Sequence, residues 1–240
     1  MTNSHAPRIP SRPPVKHERA TLPKVAVCIP SGDTVHKGFA MALAAMTYVC
    51  GPREEALAVP IALVGVEGSL IVRNRCEAVD QAQKLGVDYV LFLDSDMVFP
   101  PATLRRLLSH EKDIVGATYV QREPPHLLLG EWMPGTVLTS DRLHEVLALP
   151  AGCLLIKLSV FEGMTRPYFR TPAFEAEGDF PAHIQGEDYY FCQVARERGH
   201  QIWLDVGLSS QMGHIGKTTS KIGMQRAAQP QEASDGQAVH

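Results

Sequence analysis

The sequence predicts an α/β fold: a mostly parallel, doubly wound sheet flanked by helices. Two observations carry this expectation. Strand-like and helix-like segments alternate from Val25 to Tyr119, as repeated βαβ units do. Within them, Tyr89-Val90-Leu91-Phe92-Leu93 is apolar or aromatic without a break, the mark of a strand buried on both faces. That run ends in Asp94-Ser95-Asp96. Ligands of open α/β sheets bind beyond the carboxyl ends of the strands, so both acids are expected where substrates arrive. The tripeptide also reads as a plain turn after a core strand, because Asp and Ser favour turns.

Taken in order, the chain opens with Pro7, Pro10, Pro13 and Pro14 among basic and polar residues, and residues 1–22 are expected to be a flexible arm. The first strand is Val25–Ile29, ending in the turn residues Pro30-Ser31-Gly32-Asp33. A helix rich in Ala and Met follows over Lys37–Val49, stopped by Gly51-Pro52. Val59–Val66 reads as a strand. Ser69 is the expected N-cap of a helix over Leu70–Leu85, which Gly86 ends. Beyond Asp96, Pro100-Pro101 opens a short helix to His110, since Pro is tolerated in a first turn. Asp113–Tyr119 is a further strand. Gln121–Arg142 is irregular, as functional loops often are. Glu145–Leu149 and Cys153–Lys157 read as a strand pair about Pro150-Ala151-Gly152. A second irregular region, Gly163–Gln185, leads to a helix over Tyr189–Arg198 and a last strand, Gln201–Val206. Residues 217–240 are polar and expected to be a flexible tail. Residues 23–216 are therefore expected to form one domain.

Composition narrows the functional classes. The chain has 240 residues, 45% hydrophobic and 20% charged, an ordinary globular balance. A formal net charge of -3 gives no reason to expect a nucleic-acid partner. No apolar run reaches transmembrane length, and the polar start lacks the apolar core of a signal peptide. The five cysteines Cys28, Cys50, Cys76, Cys153 and Cys192 lack zinc or redox spacing. They read as buried thiols of a cytoplasmic protein.

Four features together resemble the GT-A glycosyltransferases, in particular the family 2-like enzymes of bacteria and phages. They are the first strand ending at Pro30-Ser31-Gly32-Asp33, Asp94-Ser95-Asp96 matching the DxD motif, Gly152–Lys157 resembling an acceptor-side strand, and Gly186-Glu187-Asp188 opening a helix ahead of a strand and His214. The likeness spans Val25 to Gly216. It implies a GT-A, Rossmann-like domain that transfers a sugar from a UDP- or GDP-type donor to a carbohydrate or other hydroxyl, with inversion.

On this resemblance Pro30, Ser31, Asp33, Asp94 and Ser95 contact the donor, and Arg73 and Asn74, near a helix start, are expected to meet its nucleobase or phosphates. Asp94, Asp96 and His214 hold Mn²⁺ or Mg²⁺, with Asp96 as direct ligand and Asp94 on the ribose or a coordinated water. Hard divalent cations suit such oxygen ligands. Asp188 is the general base and Glu187 its alternative. Gly152 lies on the acceptor side, and the Trp132 indole, with an apolar face and a donor, is expected to stack on an acceptor sugar.

Plainer readings stand beside these. Taken alone, His214 reads as a surface-loop histidine between glycines. Glu187 and Asp188 suit a helix N-terminus electrostatically. Arg73 and Asn74 fit a solvated helix face, and Trp132 a core cover. Three rival functions are a haloacid-dehalogenase-like phosphatase using Asp94 and Asp96, a nucleotidyltransferase, and a non-catalytic nucleotide-sugar-binding module. The phosphatase motif normally opens its domain, whereas two βα units precede Asp94. A nucleotidyltransferase wants a basic, Gly-rich loop after the first strand, which Pro30–Asp33 does not provide.

Overall fold

The computed structural model describes residues 22–51, 58–140, 142–178, 181–216 and 219–221. Apart from Leu22 and Thr219–Lys221, the expected arm and tail lie outside the described residues, as do Pro52 and Phe180. In chain order the first elements are β1 (Val25–Ser31), α1 (Lys37–Cys50), β2 (Ile61–Glu67), α2 (Ile71–Leu85) and β3 (Tyr89–Leu93). Next come β4 (Met97–Val98), α3 (Thr103–Leu108), β5 (Ile114–Gly116), β6 (Glu131–Trp132), β7 (Leu143–Ala148) and β8 (Cys153–Lys157). The chain continues through the hairpin β9 (Ala173–Phe174) and β10 (His183–Ile184), then α4 (Glu187–Glu197), β11 (Ile202–Asp205), α5 (Val206–Ser209), β12 (Gly213–Ile215) and β13 (Thr219–Lys221).

The fold is α/β, with an 8-stranded central sheet in the order β2-β1-β3-β8-β5-β11-β7-β6. β1 pairs in parallel with β2 and β3, and β5 in parallel with β11. β8 is inserted antiparallel between β3 and β5, so those five strands share one direction. The expected strand pair about Pro150–Gly152 is corrected here. β8 pairs with β3 and β5, while β7 pairs with β11 and β6. A short turn between two strands looks like a hairpin in sequence, but the apolar Cys153–Lys157 segment is satisfied only in the centre of the sheet, where Cys153 through Ile156 are fully buried.

β3 is buried on both faces, as its unbroken apolar run requires. Val90 and Phe92 enter one core cluster, and Leu91 and Leu93 enter the other. α2 covers the first face with Cys76, Ala78, Val79 and Ala82. It ends where Gly86 adopts φ 60°, a left-handed turn that suits glycine. Its start differs from expectation. The cap position is Leu70, with no side-chain cap, and Asn74 Nδ2 instead donates to the Gly68 carbonyl at 2.8 Å. All five cysteines are buried and free. Burial pushes Cys28, Cys153 and Cys192 up to about 12, so these are packing thiols. Among the described residues no helix is long and apolar enough to cross a membrane.

Candidate active site at the carboxyl edge

Three parallel strands end side by side. β1 runs out through Pro30, Ser31 and Gly32, β2 into Gly68 and Ser69, and β3 into Asp94, Ser95 and Asp96. With Ile71 and Asn74 these residues line a cleft of about 270 Å³. The parallel register explains the gathering: Ser31 lies opposite Glu67, and the Gly68 N–H donates to the Ser31 carbonyl at 3.0 Å.

The two acids that follow β3 face different partners. Asp94 turns inward to Arg75, whose Nη2 donates to Oδ1 at 3.0 Å and Oδ2 at 3.3 Å. Burial pushes the Asp94 carboxyl up, opposed by the Arg75 charge. Asp96 instead meets Arg122 Nη1 at 3.0 Å and His214 Nε2 at 3.4 Å. Burial works to raise Asp96, but the His214 contact and the charge of Arg122 prevail and hold it below the usual carboxylate range. His214 is on a strand, which corrects the expected loop. β12 pairs with β4 so that His214 lies opposite Met97, and the Ile215 N–H donates to the Asp96 carbonyl at 2.8 Å. The ring's Nδ1 is 2.8 Å from the Val120 carbonyl.

On the other side of the site, α4 begins at Gly186 without a side-chain cap and carries Glu187 and Asp188 in its first turn. Glu187 Oε1 accepts from Arg75 Nε at 3.0 Å. The Asp188 carboxylate accepts from two backbone N–H groups, Ala151 at 3.2 Å and Tyr189 at 2.9 Å. Burial, and then the neighbouring Glu187 charge, raise Asp188 to about 6, against the pull of Arg75 and of the two backbone donors. The short Ala151-Gly152 turn ties these groups together. Gly152 accepts from the Asp94 N–H at 3.2 Å and donates to the Tyr119 hydroxyl at 3.0 Å. A Cβ at Gly152 would lie 2.2 Å from Tyr119 Oη and 3.1 Å from Asp94 Oδ2, so only glycine fits. The Tyr119 ring also packs edge-on against His214, with centroids 5.0 Å apart.

Of the expected donor contacts, Pro30, Ser31, Asn74, Asp94 and Ser95 line the cleft. Asp33 is exposed and outside the lining. Arg73 points away, its side chain 75% exposed and 3.8 Å from Glu77. Gly152 is buried, and what it supplies is room. Trp132 sits on the outermost strand, packed against the core and over Gly130. Asp94, Asp96, Asp188 and His214 are brought to one edge, through Arg75, the Ala151-Gly152 turn and the β4–β12 pairing.

Arg75, Tyr119 and Arg122 were not singled out by sequence. A signal for Arg75 existed: it precedes Ala78, Val79 and Ala82 by three, four and seven residues, on the apolar stripe of α2. A charge on such a stripe calls for a buried partner. As for a metal, no group of three or more His, Cys, Asp or Glu side chains suited to one occurs among the described residues. Asp96 and His214 offer one carboxylate and one imidazole, the latter anchored through its far nitrogen.

No protein-family model matches the chain, and no curated protein matches it. Among solved structures, A197 from STIV aligns with a TM-score of 0.52 at 15% identity, covering 88% of this chain and 99% of that one. TarS 1–349 from S. aureus aligns with a TM-score of 0.40 at 14% identity, covering 75% of this chain and 57% of that one. The first likeness runs through nearly the whole of both chains and speaks to the fold. The second is too slight to carry an argument.

Proposed function

We propose that this chain is a glycosyltransferase that moves a sugar from a UDP- or GDP-type nucleotide-diphosphate sugar to an acceptor hydroxyl, with inversion. The observation that supports this is Asp188: a carboxylate oriented by two backbone donors, raised to about 6, on the same edge as an acid-rimmed cleft. A base poised near neutrality is what proton abstraction from a hydroxyl requires. In the proposed reaction the acceptor oxygen attacks the anomeric carbon from the face opposite the diphosphate. The bond from that carbon to the phosphate oxygen breaks, the nucleoside diphosphate leaves, and the acceptor proton passes to Asp188.

The cleft suits a diphosphate through its turn backbones at Gly32, Gly68 and Ser69, whose small residues let a ligand approach closely. It also carries Asp94 and Asp96, which would repel a bare diphosphate. A divalent cation, Mn²⁺ or Mg²⁺, is therefore part of the reading. Asp96 and His214 would hold it, with phosphate oxygens and water completing the shell, as hard cations at one or two protein ligands usually are. Bound there, the cation would neutralise charge developing on the leaving diphosphate. Asp94, engaged by Arg75, is assigned to shaping the cleft floor. The same engagement weighs against the phosphatase reading, which needs Asp94 as a free nucleophile.

The test is a thermal-shift panel of UDP-, GDP-, CDP- and dTDP-sugars, each with and without Mn²⁺. A ligand of the folded state at 100 times its dissociation constant adds about 2.7 kcal/mol. One nucleotide class should stabilise, and more so with Mn²⁺. No shift with any donor in either condition would overturn the reading. Binding without turnover on any acceptor would favour the non-catalytic module.

A further inference from the structure

Arg75 has 3% side-chain exposure and pairs with two acids of the site. Its contacts join three separate stretches of chain. Nη2 donates to Asp94 at 3.0 and 3.3 Å, Nε donates to Glu187 at 3.0 Å, and Nη1 points at the Ala151 carbonyl at 3.5 Å. The face of the guanidinium lies 5.3 Å from the centroid of Phe92, in β3 itself. The three stretches are the loop after β3, the first turn of α4, and the turn that receives the Asp188 carboxylate.

We propose that Arg75 is the positioning residue of this site: one buried guanidinium fixes the Asp94–Asp96 loop against the Glu187–Asp188 turn, so the donor half and the base half keep a set separation. The names of the halves rest on the proposed glycosyl transfer; the physical link does not. A planar fork with donors on several edges serves two carboxylates at once, whereas an ammonium concentrates its donors at one point. Arg75 is therefore not replaceable by lysine. Its position in α2 is fixed by packing, since Ala78, Val79 and Ala82 on the same stripe are fully buried. Reactions between two bound groups are sensitive to such separations, because small misplacements lose orientation.

The link is tested by a double-mutant cycle in urea: Asp94→Asn and Glu187→Gln, singly and together, in the wild-type and Arg75→Met backgrounds. With Arg75 present, either single change leaves the cation one carboxylate. The double change leaves it with neither of these partners. The double variant's unfolding constant should therefore exceed the product of the single effects by about fivefold or more, as directly coupled residues show. In the Arg75→Met background each single change should instead stabilise, because it then relieves a part-buried acid left without its cation. Additive effects in the wild-type background would overturn the proposal whether or not any nucleotide binds.

Arg75→Lys supplies the second arm, and also stands in if Arg75→Met does not fold. On the donor found by the panel, kcat per folded molecule should fall about tenfold or more while KM for the donor stays within about threefold. An unchanged kcat per folded molecule would reduce Arg75 to a packing residue and overturn the positioning role. Intact coupling in a protein that binds no nucleotide would keep the link and overturn only the transferase reading.

Discussion

Asp94 and Asp96 are separated by one residue, yet they belong to two differently built regions. The Asp94 region is closed around its cation. Its cation, Arg75, is buried, and its other contacts are the backbone of Gly152 and, through Arg75, Glu187 on α4. The Asp96 region is open at its cation, although the Asp96 side chain is itself 16% exposed against 27% for Asp94. Its cation, Arg122, has a side chain 54% exposed on an irregular segment, and its histidine comes from β12 near the end of the described chain. The same residue type thus receives opposite treatment: burial lifts Asp94, while His214 and Arg122 hold Asp96 down. A closed ion pair resists exchange because breaking it strands a buried charge. An open one can give up an exposed arginine for a ligand at little cost. The difference teaches that two acids one residue apart can be held by cations of opposite accessibility, Asp94 by the buried Arg75 and Asp96 by the exposed Arg122.

The comparison breaks most visibly at Gly152, where the closed region is tightest. Gly152→Ala should cost at the upper end of about 1–3 kcal/mol, because the added methyl meets Tyr119 Oη and little nearby can yield. Urea unfolding checks this, and a loss under about 0.5 kcal/mol would show that the turn is looser than described.

Substituting the two acids sharpens the contrast. Asp94→Asn should lower stability by about 1–2 kcal/mol, since Arg75 keeps Glu187 but loses a charge-assisted partner. Asp96→Asn should cost under about 1 kcal/mol, as partly exposed ion pairs usually do. Calorimetry of a nucleoside diphosphate with Mn²⁺ and with chelator should give the reverse order, with Asp96→Asn losing more of the metal-dependent affinity. Equal losses in both assays would dissolve the division between the regions. Arg122→Gln should be the mildest change, within about 0.5 kcal/mol in stability.

Much of the closed region was readable in the sequence, and most of its wiring was not. The unbroken Tyr89–Leu93 run fixes a doubly buried strand, and Gly86 fixes the end of the preceding helix, because those signals are local. Asp94 and Asp96 follow from the strand they terminate. Arg73 drew attention by its nearness to the helix start, but helical geometry turns it outward toward Glu77, four residues on. Arg75, two positions later, turns inward, and its acids are 19 and 112 residues away. No local pattern reports partners at such separations. His214 shows the same limit. A glycine-flanked histidine reads as loop, and only its pairing with Met97 makes it part of a strand. The Pro150–Gly152 turn likewise reads as a hairpin until β8 is seen between β3 and β5.

The central claim is that Asp188 takes the acceptor proton, and one sample tests it: sugar transfer, its pH profile and nucleotide affinity on Asp188→Asn beside wild type. Wild-type transfer should rise with pH and level off above about 6, since only the ionised carboxylate accepts a proton. The sign for stability is opposite. A carboxyl with a raised folded pKa binds its proton more tightly in the native state, so its contribution is present below the unfolded value and is lost as pH climbs toward 6. Asp188→Asn keeps the shape but removes the acceptor, so transfer should fall by about 10²–10⁴-fold and the limb near 6 should vanish. Nucleotide affinity should stay within about threefold, because in the proposed reaction the base faces the acceptor rather than the diphosphate. Transfer within a few-fold of wild type, with the limb still in place, would contradict the account and shift the base to another group.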